Sequence, residues 1–231
     1  MASKINSSNP NFYELFEKLL ARRATRVEDA TKVSADIIEK VRKSGDEALI
    51  KLTKELDGLD LISMGLIIDS DEIDEAINRI TTDQYDALKF AADRITAFHL
   101  KQMPDNFEYL DETEVKMGMR WSSVDSVGLY VPGGTASYPS SVLMNAIPAK
   151  VAGVPRRVIA VPQTRGSINP LVLAAAKLAD VQEVYRVGGA QAIAALAYGT
   201  ETISPVDKIV GPGNAFVAAA KKLVYGLSLI H

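Results

Sequence analysis

Between Val127 and Gly226 the sequence runs three times from a short apolar stretch through a glycine turn into a helical pattern, and few folds accommodate that order. The first unit is Val127-Gly128-Leu129-Tyr130-Val131-Pro132-Gly133-Gly134, followed by a helical run from Ser140 to Gly153. The second is Glu183-Val184-Tyr185-Arg186-Val187-Gly188-Gly189-Ala190-Gln191, followed by Ala192 to Tyr198, and the third is Asp207-Lys208-Ile209-Val210-Gly211-Pro212-Gly213-Asn214, followed by Ala215 to Tyr225. Arg157 to Val161 reads as a further strand, and Asn169-Pro170 opens a helix through Leu178, with proline near the first turn. Continuous β-branched runs of this kind fit a parallel sheet covered on both faces. Strands alternating with helices therefore predict an α/β fold with a doubly wound, mostly parallel sheet. Such folds bind ligands beyond the carboxyl ends of their strands, against helix N-termini, so the stretch reads as a nucleotide or cofactor platform. The unequal spacing of the three turns argues against a true repeat.

The preceding residues are different in kind. Phe12, Leu15, Phe16, Leu19 and Leu20 recur at helical spacing, and Ala30, Val33, Ile37 and Val41 mark a second helix that Gly45 stops. Asp46 caps a third, which Asp57-Gly58 breaks. Gly65 to Asp69 reads as a short strand, Ser70 and Thr82 as N-caps of two further helices, and the segment from Phe107 to Ser123 as two or three edge-like strands. Residues 1–126 hold 42 charged side chains against 13 in 127–226, whereas the later window has 11 of the 15 glycines and 8 of the 10 prolines. That shift places a domain boundary near residue 126. The expected organisation is an N-terminal helical arm (1–25), a first and incomplete α/β domain (26–126), a nucleotide-binding α/β domain (127–226) and an aberrant tail (227–231).

A formal charge of -3 with no basic block argues against a nucleic-acid surface, and no apolar run approaches the length that spans a bilayer. The N-terminus lacks the apolar stretch of a secretory signal, which points to the cytoplasm. The absence of cysteine removes disulfides, thiolate nucleophiles and thiolate metal sites.

Each glycine turn carries one side chain suited to touching a ligand: Tyr130 before the first, Gln191 after the second and Asn214 after the third. A tyrosine offers a ring face and a hydroxyl, and the amides offer donors and acceptors; the same amides also suit ordinary helix caps, and the tyrosine a core position with a wet hydroxyl. Thr135 to Ser141 gathers hydroxyls at one helix N-terminus, as a phosphate or carboxylate site would, or as simple capping by Ser140 would. Neither the dinucleotide fingerprint G-x-G-x-x-G nor a P-loop is present, because Phe216 occupies the last glycine position and no lysine follows Gly133-Gly134 at the required offset. His99 reads as a packed or solvated residue, His231 carries little weight as the last residue, and Glu201 and Asp207 read as loop-orienting carboxylates. No residue in the sequence claims acid–base or metal chemistry.

The strings YVPGGTASYPSSVLMNAIPAKVAGV (Tyr130–Val154), NPLVLAAAKLA (Asn169–Ala179), VYRVGGAQAIAALAYGTETI (Val184–Ile203) and VDKIVGPGNAFVAAAKKLVYG (Val206–Gly226) closely resemble the histidinol dehydrogenase family. The segments around Ala97-Phe98-His99 and Trp121 fit more loosely. The resemblance implies a fold of the incomplete Rossmann or aldehyde-dehydrogenase-like type with a helical N-terminal part. It implies a zinc-dependent enzyme that oxidises L-histidinol to L-histidine through an aldehyde with two NAD in succession. It implies a homodimer that exchanges terminal segments. The family's NAD contacts fall on Tyr130, Gln191 and Asn214, with Pro132 and Pro212 shaping the site. The family's substrate serine, zinc ligands and Glu-His pair lie downstream of an Ala-Gly-Pro-Ser-Glu segment that this sequence lacks, so no catalytic residue and no zinc ligand is assigned. A truncated chain, inactive by itself, is the expectation. The other reading is a stand-alone nucleotide-binding or structural, dimerising module without catalysis.

Overall fold

The computed structural model describes residues 5–133, 138–163 and 167–226. In chain order the elements are α1 (Phe12–Asp57), α2 (Leu61–Met64), α3 (Ser70–Asn78), α4 (Thr82–Leu100), β1 (Phe107–Leu110), β2 (Lys116–Met119), β3 (Ser126–Tyr130), α5 (Pro139–Val151), β4 (Arg156–Ala160), α6 (Pro170–Leu178), β5 (Glu183–Tyr185), α7 (Gly189–Tyr198), β6 (Lys208–Val210) and α8 (Ala215–Val224). The strands β3 to β6 form one wholly parallel sheet in the order β5-β4-β3-β6, while β1 and β2 pair as a separate antiparallel hairpin. The chain therefore walks from β3 outward to β5 and then returns to the opposite side of β3. That reversal is the topological switch point at which doubly wound sheets bind ligands.

Alternation along the strands sorts the core into two layers. Val127, Leu129, Val131, Ile159, Val161 and Val184 point to the face packed by α5 and α6. Tyr130, Val158, Ala160 and Tyr185 point to the face packed by α7 and α8. With one side chain up and the next one down, and both layers dry, the strands read as unbroken apolar runs. The residues before 126 join these same layers. Ile37, Ile38, Val41, Leu49 and Leu52 of α1 pack on α7 and α8, and Ile68, Ala76 and Ala92 pack on the other side.

Several local expectations differ from the structure. The first two helices expected before Asp57 are continuous, with no break between Leu20 and Ala30, whereas Gly45, at φ 45° and ψ -126°, is non-helical and ends that helix where the sequence placed its stop, so that α1 is two helices joined across a kink. Asp46 does not cap the helical turn after that kink: its amide donates to Glu201 and its carboxylate accepts from Thr202, so the residue ties α1 to the loop after α7. The Gly65–Asp69 stretch makes a single bridge, Ile67 to Tyr185, in place of a strand. Asp69 and Thr81 cap α3 and α4, one residue earlier than read, and the Thr81 cap is a full capping box with Gln84. The helix after the second glycine turn begins at Gly189 instead of Ala192.

A polar clamp closes the amino ends of the strands. Arg156 donates to Glu183 through Nε at 2.7 Å and Nη2 at 3.0 Å, and to the carbonyls of Pro205 and Ser204 at 2.8 and 3.0 Å. Tyr185 donates to Glu183 at 2.8 Å. Hydrogen bonding from Arg156 holds the Glu183 carboxyl below the usual carboxylate range, and burial, aided by Glu183, pushes Tyr185 up to about 12. A depressed carboxylate contributes stability that is present above its unfolded value of 4.5 and is lost as the pH falls through the lower folded value. Arg156→Met is expected to cost about 2 kcal/mol in urea unfolding at neutral pH, since it strips a charge-assisted bidentate pair. The variant should also lose less stability than the parent on acidification, because Glu183 then titrates nearer its unfolded value.

Candidate functional site

At the carboxyl ends of β3, β5 and β6 the three glycine turns and the N-termini of α7 and α8 meet a wall supplied by α1. They enclose a cleft of about 340 Å³ whose lining includes Tyr130, Pro132, Gly189, Gln191, Asn214 and Phe216, with Val33, Ile37, Leu56 and Asp57 from α1. The three side chains singled out in the sequence thus share one cavity, although they come from three separate units. Pro132 lines it too, whereas Pro212 is exposed in the third turn.

Tyr130 ends β3 and is buried; its hydroxyl oxygen accepts the Gly189 amide at 3.1 Å, which binds the first turn to the N-terminus of α7. Burial pushes its phenol up, the bond from Gly189 opposes that shift, and the Asp57 carboxylate adds to it. Gln191 stands in the first turn of α7 and is 1% exposed, yet neither its amide oxygen nor its amide nitrogen has a hydrogen-bond partner. A buried amide left unpaired costs on the order of 1–3 kcal/mol, which a ligand that pairs with it recovers. Asn214 is exposed, and its side-chain oxygen accepts from Val217 at 3.1 Å, so it is the N-cap of α8 as well as a wall of the cleft. The capping role weighed in the sequence is real for Asn214 and absent for Gln191.

Close backbone approach explains the glycines. Pro162 is wedged between the first and second turns, and a Cβ at Gly133 or Gly188 would come within 2.5 or 2.3 Å of its ring. At Gly211, held at φ 114°, a Cβ would lie 2.1 Å from the Tyr130 carbonyl oxygen. Lys221 fixes that same turn by donating to the Gly211 carbonyl at 3.1 Å, and burial pulls its ammonium below the usual lysine value.

The remaining sequence candidates lie elsewhere. Of the hydroxyl run, residues 135–137 fall outside the described residues; Tyr138 is the N-cap of α5 without a side-chain capping bond. His99 is half-buried near the end of α4 with its ring edge-on to Phe98, away from the cleft, and His231 is outside the described residues. Glu201 and Asp207 do orient loops: Glu201 accepts from the Asp46 amide at 2.7 Å, and Asp207 accepts from the Ser126 amide and hydroxyl at 2.7 and 2.9 Å. The residue that sequence reading passed over is Asp57. In the sequence it stands only in a helix break, and no periodicity or motif connects it to the distant glycine turns.

A family model for histidinol dehydrogenase matches residues 20–230. Histidinol dehydrogenases of Rhizobium meliloti (strain 1021) and Rhodospirillum rubrum are each 55% identical over 226 residues, covering 98% of this chain and 52% of theirs. The crystal structure of histidinol dehydrogenase from Elizabethkingia anophelis superposes with a TM-score of 0.82 at 35% identity, over 86% of this chain and 46% of that one. The chain belongs to the histidinol dehydrogenase family. It spans about half the length of the curated relatives it matches. Among the described residues no helix is long and apolar enough to cross a membrane, and no group of three or more His, Asp or Glu side chains could hold a metal ion.

Gly211→Ala is expected to lower stability by more than about 2 kcal/mol in denaturant unfolding, since the added methyl group meets backbone and not a movable side chain. A smaller loss would show that the third turn has room to shift away from Tyr130.

Proposed function

We propose that the chain carries the NAD-binding part of a histidinol dehydrogenase, an oxidoreductase of histidine biosynthesis that takes L-histidinol to L-histidine through the aldehyde. The observation that carries this reading is the unpaired, buried Gln191 amide in a cleft shared with Tyr130 and Asn214. When bound, NAD supplies the hydride acceptor. The chain's own contribution is binding and orientation. The N-termini of α7 and α8 aim backbone N–H groups and positive helix ends into the cleft, as a pyrophosphate requires. Gln191 pairs with a cofactor polar group, the Tyr130 ring forms one wall, and Phe216 offers an apolar surface.

Zinc does not fit the described residues, which offer no cluster of ligands. We place the zinc ligands and the acid–base pair in the half of the family's length that this chain does not span, and derive no step through the metal here. The active species would be a cytoplasmic homodimer. Tyr13, Leu15, Phe16, Leu19 and Leu20 lie exposed along the first turns of α1, which supports an exchange of terminal segments between subunits. Residues 127–226 would be its nucleotide-binding unit.

Calorimetric titration tests the reading. The unaltered chain is expected to bind NAD and to form no NADH with L-histidinol. Gln191→Leu should weaken NAD at least about tenfold, the worth of one buried hydrogen bond, while raising the melting temperature by removing an unpaired polar group. Equal NAD affinity in parent and variant would refute the role of Gln191, and no binding by the parent would refute the platform.

A further inference from the structure

Asp57 is the last residue of α1, where the helix ends in a left-handed Gly58 cap and the partial charge of the helix terminus is negative. Its carboxylate faces the cleft described above, and Oδ2 is buried without a hydrogen-bond partner. The neighbouring cation does not answer it, because Lys54 in the last turn of α1 reaches Asp60 at 3.6 Å. Among the described residues, no lysine or arginine lines the cleft. Burial pushes the Asp57 carboxyl up, in keeping with a charge that the fold itself leaves uncompensated. A carboxylate with one oxygen desolvated and unpaired, at the negative end of a helix, is disfavoured on both counts. Hydrogen-bond donors arriving with a ligand answer the unpaired oxygen.

We propose that Asp57 selects the adenosine ribose of the cofactor, its carboxylate accepting the free 2′- and 3′-hydroxyls of NAD and rejecting the 2′-phosphate of NADP. This rests on the reading of the cleft as a dinucleotide site. The chemistry is that of the acidic residue by which doubly wound dehydrogenases recognise a ribose diol. Here the acid arrives from a helix that precedes the sheet, not from the strand after the glycine turn. The wall next to it suits an adenine: Val33, Ile37 and Leu56 of α1 present an apolar surface on the same side of the cleft. A 2′-phosphate placed there would set its charges against the Asp57 carboxylate.

The test is calorimetric titration of the unaltered 231-residue chain and of Asp57→Asn with NAD and with NADP, alongside a melt of each ligand-free protein. The parent is expected to prefer NAD by more than about tenfold. In Asp57→Asn the affinity for NAD should fall about tenfold, as for one charge-assisted hydrogen bond, and that for NADP should rise. The ligand-free variant should melt higher than the parent, since a disfavoured charge is gone. A variant that binds NAD with an unchanged ratio of NAD to NADP affinity overturns the assignment, as does a lower melting temperature, which would make Asp57 a structural residue. Failure of the parent to bind NAD would overturn the platform reading and this assignment with it. Loss of ratio alone leaves the platform standing and supports Asp57.

Discussion

A four-stranded parallel sheet with both faces apolar cannot stand without cover, and that requirement organises the rest of the chain. On one face α5 and α6, backed by α3 and α4, bury Leu129, Ile159 and Val184. On the other α7 and α8 bury Val158 and Tyr185, and α1 lies across that pair through Ile37, Val41, Leu49 and Leu52. The long helix is thus a cover for the sheet before it is anything else. Because it crosses at the end where the glycine turns sit, its flank becomes the outer wall of the cleft. Burial of the core and formation of the site are one packing event.

The cleft also shows how the fold tolerates unfavourable groups. Val33, Ile37 and Phe216 line the same cleft as a glutamine amide without partners and a carboxylate oxygen without partners. Neither gains anything from the folded chain alone, and each is held by secondary structure whose stability comes from elsewhere: α7 for Gln191, and α1 for Asp57. Polar groups fixed before a ligand arrives do not have to be ordered by it, which is how a preformed site gains affinity.

Much of this was legible in the sequence because the determinants are local. Glycines at 133, 188, 189, 211 and 213 mark turns that any side chain would obstruct, and Tyr130, Gln191 and Asn214 are conspicuous only because they flank them. The order of strands and helices after residue 126 followed from uninterrupted apolar runs between those turns. What was not legible depends on long-range packing. Nothing near Gly45 shows that the kink is held by Glu201, and nothing near Asp57 shows which cavity it will face. The Gly65–Asp69 stretch has the composition of a strand but meets only the edge of β5, in one antiparallel bridge where the Ile68 amide donates to the Val184 carbonyl and the Arg186 amide to the Leu66 carbonyl. Ser70 and Thr82 are as good caps by type as Asp69 and Thr81 one residue earlier, and only the hydrogen bonds from the Glu72 and Gln84 amides decide between them.

The central claim is that the glycine turns and α1 together form a dinucleotide cleft. A crystal structure of the chain grown with saturating NAD tests it most directly. The account predicts the cofactor between α1 and the N-termini of α7 and α8, with the Gln191 amide and the Asp57 carboxylate both hydrogen-bonded to it. A dinucleotide bound elsewhere, or a cleft that holds only water while Gln191 and Asp57 remain unpaired, would contradict it.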